Sequence, residues 1–167
     1  SFEEGWTDSG SWPMTTQDPK GWLTLWNVTR GGDYKNPFAP EQSYGVGEAI
    51  HKFRSQIPDE EEEDFFGTGD VTYKIFANHC FWVRMKTKVN LEPGRYVLGT
   101  PVFTDTFRWN GGKDYDVEPN HSQIMVKVDG KIIRDWTALP PGRLVDTLTT
   151  FEHPGGEAEL AIHLRCN

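Results

Sequence analysis

Apolar and polar residues alternate along most of this chain with a period of two, and the last segment does so most clearly. Ala158, Leu160, Ile162, Leu164 and Cys166 alternate with Glu157, Glu159, His163 and Arg165, and Ala161 is the only small residue in the polar row. That period predicts a strand with one face in a core and one face turned away from it. Phe81–Leu91 repeats the pattern. Phe81, Val83, Met85, Val89 and Leu91 fall on one face, and Trp82, Arg84, Lys86 and Lys88 on the other. Pro93-Gly94 then turns the chain, and residues 95–103 return with Tyr96, Leu98, Thr100 and Val102 on one side. Residues 123–128 align Ile124, Val126 and Val128. Asp129-Gly130 follows, and residues 131–136 complete a hairpin with a two-residue turn. Residues 145–151 alternate Thr with Val and Phe, which predicts another strand.

Between these runs lie strong turn signals: Gly31-Gly32-Asp33, Asn110-Gly111-Gly112, Pro140-Pro141-Gly142 and Pro154-Gly155-Gly156. Helical periodicity is almost absent, and Gly47–Phe53 is the single candidate for a short helical turn. The pattern predicts an all-β fold, an antiparallel β-sandwich or barrel. Residues 6–40 are rich in Gly, Pro, Asp and Trp and read as long loops over one part of it. The acidic run at 59–64 reads as a solvated loop, with a weak cation site as the lesser alternative. No internal repeat divides the 167 residues, so residues 1–167 read as a single β-sandwich domain with a sizeable core.

Composition narrows the function classes. A formal net charge of −8 argues against nonspecific binding of nucleic acid or anionic membranes, both of which need a basic surface. No apolar run approaches the roughly 20 residues of a membrane helix, so no membrane insertion is expected. The two cysteines, Cys80 and Cys166, match no metal spacing. They read as buried thiols, with a disulfide left open if the fold brings them together. Asn27-Val28-Thr29 and Asn120-His121-Ser122 are formal glycosylation sequons. Seven Trp is a large number for this length, and each needs either a core position or a ligand.

The order of several short motifs carries a family resemblance. Phe2-Glu3-x-Gly5-Trp6 opens the chain, followed by Pro19-Lys20-Gly21-Trp22 with Trp26, Pro40-Glu41, and Val46-Gly47-Glu48-Ala49 with Phe53. The Phe81–Leu91 strand runs into Glu92-Pro93-Gly94-x-Tyr96, and Val126-Lys127-Val128-Asp129-Gly130, Trp136 and a closing strand complete the series. This resembles the galactose-binding-domain-like jelly rolls, including the carbohydrate-binding modules attached to glycoside hydrolases and cell-wall enzymes. The resemblance implies a jelly-roll sandwich, non-catalytic sugar binding, and a place as an accessory domain of a larger secreted or surface protein. It also implies an opening strand with Phe2 in the core and Glu3 on the other face, where Glu3 helps hold a structural calcium ion. Two departures stand against the pattern. The family's final strand usually carries an acidic pair after an aromatic, and none is found before Asn167. The expectation is therefore a domain missing its last strand, a strand supplied by another chain, or a different pattern, and the calcium inference weakens with it. Arg84 and Lys86 also stand where a neutral polar residue is expected, which fits either an acidic sugar or a solvated face.

Sugar binding on such a fold needs a rigid aromatic ring for the apolar face of a pyranose and polar groups for its hydroxyls. Trp82 and Arg84 share a face turned away from the core, so Trp82 is a candidate platform, and a one-residue bulge would remove it. Trp109 sits in a polar, Gly-rich segment with Asp105, and Tyr115 and Asp116 follow. Trp109 reads as a ligand contact or as packing over the sandwich edge, and Asp105 and Tyr115 as hydroxyl partners or ordinary loop residues. Trp22, Trp26 and Trp136 read as core or staple residues, Trp6 and Trp12 as caps on the sandwich end, and His163 as solvated. No enzyme is expected. Adjacent His79 and Cys80 would point to opposite faces of a strand, and no motif selects the carboxylate pair a glycosidase needs. The alternative function is a structural or protein-interaction module of the same fold without a sugar site.

Overall fold

The computed structural model describes residues 2–9, 14–26, 47–66, 69–77, 81–104 and 122–166. Its regular structure is almost entirely β. The strands are β1 (Trp6–Asp8), β2 (Met14–Pro19), β3 (Trp22–Trp26), β4 (Gly47–Phe53), β5 (Val71–Ala77) and β6 (Phe81–Leu91). They continue with β7 (Gly94–Phe103), β8 (Ser122–Val128), β9 (Lys131–Ala138), β10 (Leu144–His153) and β11 (Gly156–Cys166). Described pairs are antiparallel except β2 with β4, which is parallel.

The largest sheet has the order β3-β6-β11-β8-β9, with β11 at its centre. The alternation read from the sequence sets its two faces. Val83, Leu164 and Ile124 form one cross-strand row, and Met85, Ile162 and Val126 the next. Val83, Ile124, Val126 and Ala158 have no exposed surface. Full burial of a Val or Ile side chain is worth about 1.5–3 kcal/mol, so these rows anchor the register.

A two-stranded sheet, β10-β7, covers this apolar face. Tyr96, Leu98 and Phe151 meet Val89, Leu91, Val128, Ala158 and Leu160 at one end. Val102 and Val145 meet Ile124, Leu139, Ile162 and Leu164 at the other, beside Trp22. Tyr96 and Phe151 are direct cross-strand partners and stack at 5.6 Å. Between the two ends Thr100 and Thr147 face inward, each hydroxyl donating to the other's carbonyl, at 3.1 and 2.9 Å. A third sheet, β1-β2-β4-β5, meets the β3 edge. Trp26 Nε1–H donates to Thr16 Oγ1 at 3.0 Å, and Thr24 Oγ1 and the Tyr73 hydroxyl are 2.8 Å apart. The result is an all-β, sandwich-like arrangement of antiparallel sheets.

Asp129-Gly130 makes the expected tight turn, with φ of 50° and 76° at its two residues, as a type I′ turn requires. Other expectations are corrected. Phe2–Glu4 is a 3₁₀ turn and not an opening strand, and Gly5 ends it at φ 112°. Gly47–Phe53 is a strand and not a helical turn, because it is held between β2 and β5 and that pairing overrides the helix preference of Glu, Ala and Lys. Pro93-Gly94 does not close a hairpin: β6 and β7 lie in different sheets, so the turn carries the chain across the core. The acidic run forms a 3₁₀ turn, Asp59–Glu61, and one α-helical turn, Glu62–Phe65, where Glu62 meets Arg54 at 3.0 Å.

Candidate functional site

The outer face of the five-stranded sheet gathers the most concentrated polar and aromatic chemistry among the described residues. Strand alternation sends Trp82, Arg84, Lys86 and Lys88 of β6 outward, as the sequence predicts. The register sets Trp82 against Arg165, Arg84 against His163, Lys86 against Ala161 and Lys88 against Glu159. On the far side of β11, His163 faces Met125 and Arg165 faces Gln123. β9 pairs irregularly with β8, and Trp136, two residues before Ala138, which is the partner of outward Gln123, lies on this same face.

The rings and the imidazole form one cluster. Trp82 and Trp136 meet edge to face at 5.7 Å, and His163 lies 6.0 Å from the first ring and 6.4 Å from the second. The Arg165 guanidinium sits 3.9 Å over the Trp136 ring, a cation–π geometry. Its Nε donates to Gln123 Oε1 at 2.8 Å. Trp136 therefore lies on the outer face with Trp82 and Arg165 and not in the core between the sheets.

His163 departs most from expectation. It lies on the outward row yet is only 4% exposed. The Trp82 indole N–H donates to its Nδ1 at 3.2 Å. Nδ1 must then be an acceptor, so the neutral ring carries its hydrogen on Nε2. Burial, reinforced by the charges of Lys127 and Arg84, pulls the imidazole pKa from 6.5 down to about 4. The ring is neutral at pH 7. Its Nε2–H is buried and has no hydrogen-bond partner among the described residues.

Charges around the cluster divide into two groups. Lys86 is held by Glu159 at 3.1 Å, and Lys88 by Glu157 at 2.6 Å. Arg84 and Lys127 have no such counter-charge among the described residues, and they flank His163 from β6 and β8.

The other predicted site residues fall elsewhere. Asp105, Trp109 and Tyr115 lie outside the described residues, as do Trp12, Cys80 and Asp116. Glu3 sits in the opening 3₁₀ turn, where its Oε1 accepts the backbone N–H groups of Asp70 and Val71 at 2.9 and 3.1 Å. It ties the chain start to β5, away from the outer face of the five-stranded sheet. No group of three or more His, Cys, Asp or Glu side chains is gathered as a metal site among the described residues. Trp6 stacks on His51 and Tyr73 at 4.8 and 5.4 Å. Cys166 lies on the inner row, where the Ser122 hydroxyl approaches its Sγ at 3.6 Å.

A second, shallow depression is lined by Gly94, Arg95, Glu152, His153 and Pro154. Its imidazole is fully engaged: Gly155 N–H donates to Nδ1 at 3.1 Å, and Nε2 meets Asp129 Oδ2 at 3.1 Å. Asp129 Oδ1 also accepts the Glu159 N–H at 2.8 Å. This network ties the β8–β9 turn to the β10–β11 turn and leaves no ring nitrogen for chemistry.

Neither a scan against protein-family models nor searches of curated proteins and of solved structures returned a match.

Proposed function

We propose that the chain is a non-catalytic carbohydrate-binding module that takes a saccharide on the outer face of its five-stranded sheet. The observation that carries this reading is the pairing of Trp82 with Trp136 beside the exposed Arg84, which has no counter-charge among the described residues. An indole face supplies the stacking surface a pyranose needs, and a guanidinium supplies fixed donors for its oxygens. Trp82 is itself locked by its hydrogen bond to His163, so little freedom is lost on binding. The sandwich-like layering and the motif order of the sequence support a galactose-binding-like jelly roll. On that reading the module belongs to a larger secreted or cell-surface protein, with Trp109, Asp105 and Tyr115 as further contacts. A glycan array followed by affinity electrophoresis tests it. Binding by the wild type and loss in Trp82→Ala are expected. Retention of every bound glycan by that variant would refute the site.

A second reading, a protein-interaction module, is favoured by a different surface. Val97 and Leu148 are 62% and 57% exposed on the outward side of β7 and β10. They are diagonal neighbours, since Leu148 pairs with Gly99 and Val97 with Thr150. Leu148→Glu would abolish self-association or partner capture on that reading and leave glycan binding untouched.

A further inference from the structure

The Nε2–H of His163 poses a specific problem. A buried donor without an acceptor costs roughly 1–3 kcal/mol, and native structures seldom leave one. The tautomer is fixed by Trp82, so the ring cannot escape by turning Nε2 into an acceptor. Any group that satisfies it must bring an oxygen lone pair. On the same face Arg84 is the cross-strand neighbour of His163, and Lys127 lies one diagonal step away on β8. Both lack a counter-charge among the described residues, although the chain as a whole carries a net charge of −8. Lys86 and Lys88, further along β6, are already neutralised by Glu159 and Glu157. The unpaired positive charge is thus concentrated around one buried donor.

We propose that Arg84, Lys127 and the His163 Nε2–H form an anion site, which takes a carboxylate or sulfate group carried by an acidic saccharide. The polymer half of this statement rests on the carbohydrate-binding reading above; the anion site does not. Arg84 would offer paired donors to two oxygens and Lys127 a point charge, and the His163 Nε2–H, covered in the free protein, would donate to the oxygen nearest the sheet once the side chains over it part. Trp82, which holds the imidazole, is placed to contact the sugar ring bearing that group.

Titration of the full chain with inorganic sulfate, polygalacturonate, dextran sulfate and uncharged dextran tests the proposal. Binding is followed by calorimetry and by the imidazole signals in long-range proton–nitrogen NMR spectra. The expected result is binding of one or both acidic polymers, with a shift of the His163 Nε2–H signal. Arg84→Ala and Lys127→Ala should each weaken binding roughly tenfold, as expected for loss of a charge-assisted hydrogen bond. Trp82→Ala should weaken the polymers more than inorganic sulfate, because it removes the ring contact with the sugar as well as the hydrogen bond that fixes the imidazole. Uncharged dextran that binds as tightly as the acidic polymers, with both cation variants silent, overturns the anion site while the carbohydrate reading survives. Sulfate that shifts the His163 signal, with polymers binding no tighter and Trp82→Ala weakening both alike, keeps the anion site and overturns the carbohydrate reading. A His163 signal unmoved by every probe overturns the proposal.

Discussion

His163 should make the stability of this protein fall steeply between pH 6.5 and 4, and the size of that fall can be worked from the site. The unfolded ring titrates near 6.5. In the fold, burial first and the charges of Lys127 and Arg84 second hold it down to about 4. Arg84 faces it from β6, Lys127 from β8, and Arg165 shares its own strand. Between those two pH values the unfolded chain binds a proton that the folded chain refuses. Stability therefore rises with pH across that window and is lost as pH falls through it. At about 1.4 kcal/mol per tenfold, the full span amounts to at most about 3 kcal/mol. The 25 acidic side chains also respond in this range, so a single pH series is not diagnostic. Urea unfolding at pH 7, 5.5 and 4 should be compared between the wild type and His163→Gln, in which the amide oxygen can still accept from Trp82 and nothing titrates. Tryptophan fluorescence is a suitable signal, because Trp82 and Trp136 contact the ring. The wild type should lose about 2–3 kcal/mol more than the variant on going from pH 7 to pH 4. Equal losses would refute both the burial and the tautomer argument.

Two further substitutions test the frame that holds the site. Ile124→Ala removes a side chain with no exposed surface from the cluster with Leu139 and Ile162 and should cost about 3–4 kcal/mol by urea midpoint. A loss under about 1 kcal/mol would mean that β8 is not seated as described. Asp129→Ala removes the acceptors of His153 and of the Glu159 N–H and strains a residue at φ 50°, so about 2–3 kcal/mol should be lost. Asp129→Asn, which tolerates the left-handed backbone, should lose clearly less by the same measurement.

The sequence revealed the strands of the large sheet well, for a physical reason. β6, β8 and β11 each turn one row into the core between the sheets, so that packing writes a period of two directly into the residues. Where pairing alone decides, the pattern fails. β4 carries helix-favouring residues and is a strand because β2 and β5 hold it from both sides. The site was half legible. Alternation placed Trp82 and Arg84 outward, and it placed His163 and Arg165 on the same row. The predicted hairpin already sets Trp136 outward, but nothing local in the chain says that Trp82 and Trp136 close over an outward His163 and bury it. The register of three strands, which a single sequence does not encode locally, brings the cluster together.

On the proposed reading, β11 separates what stabilises this protein from what it binds, because its inner row is core and its outer row lines the proposed site. The separation can be tested at His163. If the imidazole were kept for stability, replacing it with Val would leave a gap and an orphaned Trp82 N–H, and the fold would lose roughly 2 kcal/mol or more. If it is kept for a ligand, the same change removes a buried donor that has no acceptor among the described residues. It also adds a β-branched residue suited to a strand. The half-buried Trp82 can then turn its N–H toward water, and these effects nearly cancel. His163→Val should therefore unfold within about 1 kcal/mol of the wild type at pH 7 while anion binding is lost. A large loss of stability with binding retained would place the imidazole among the structural contacts and remove it from the site.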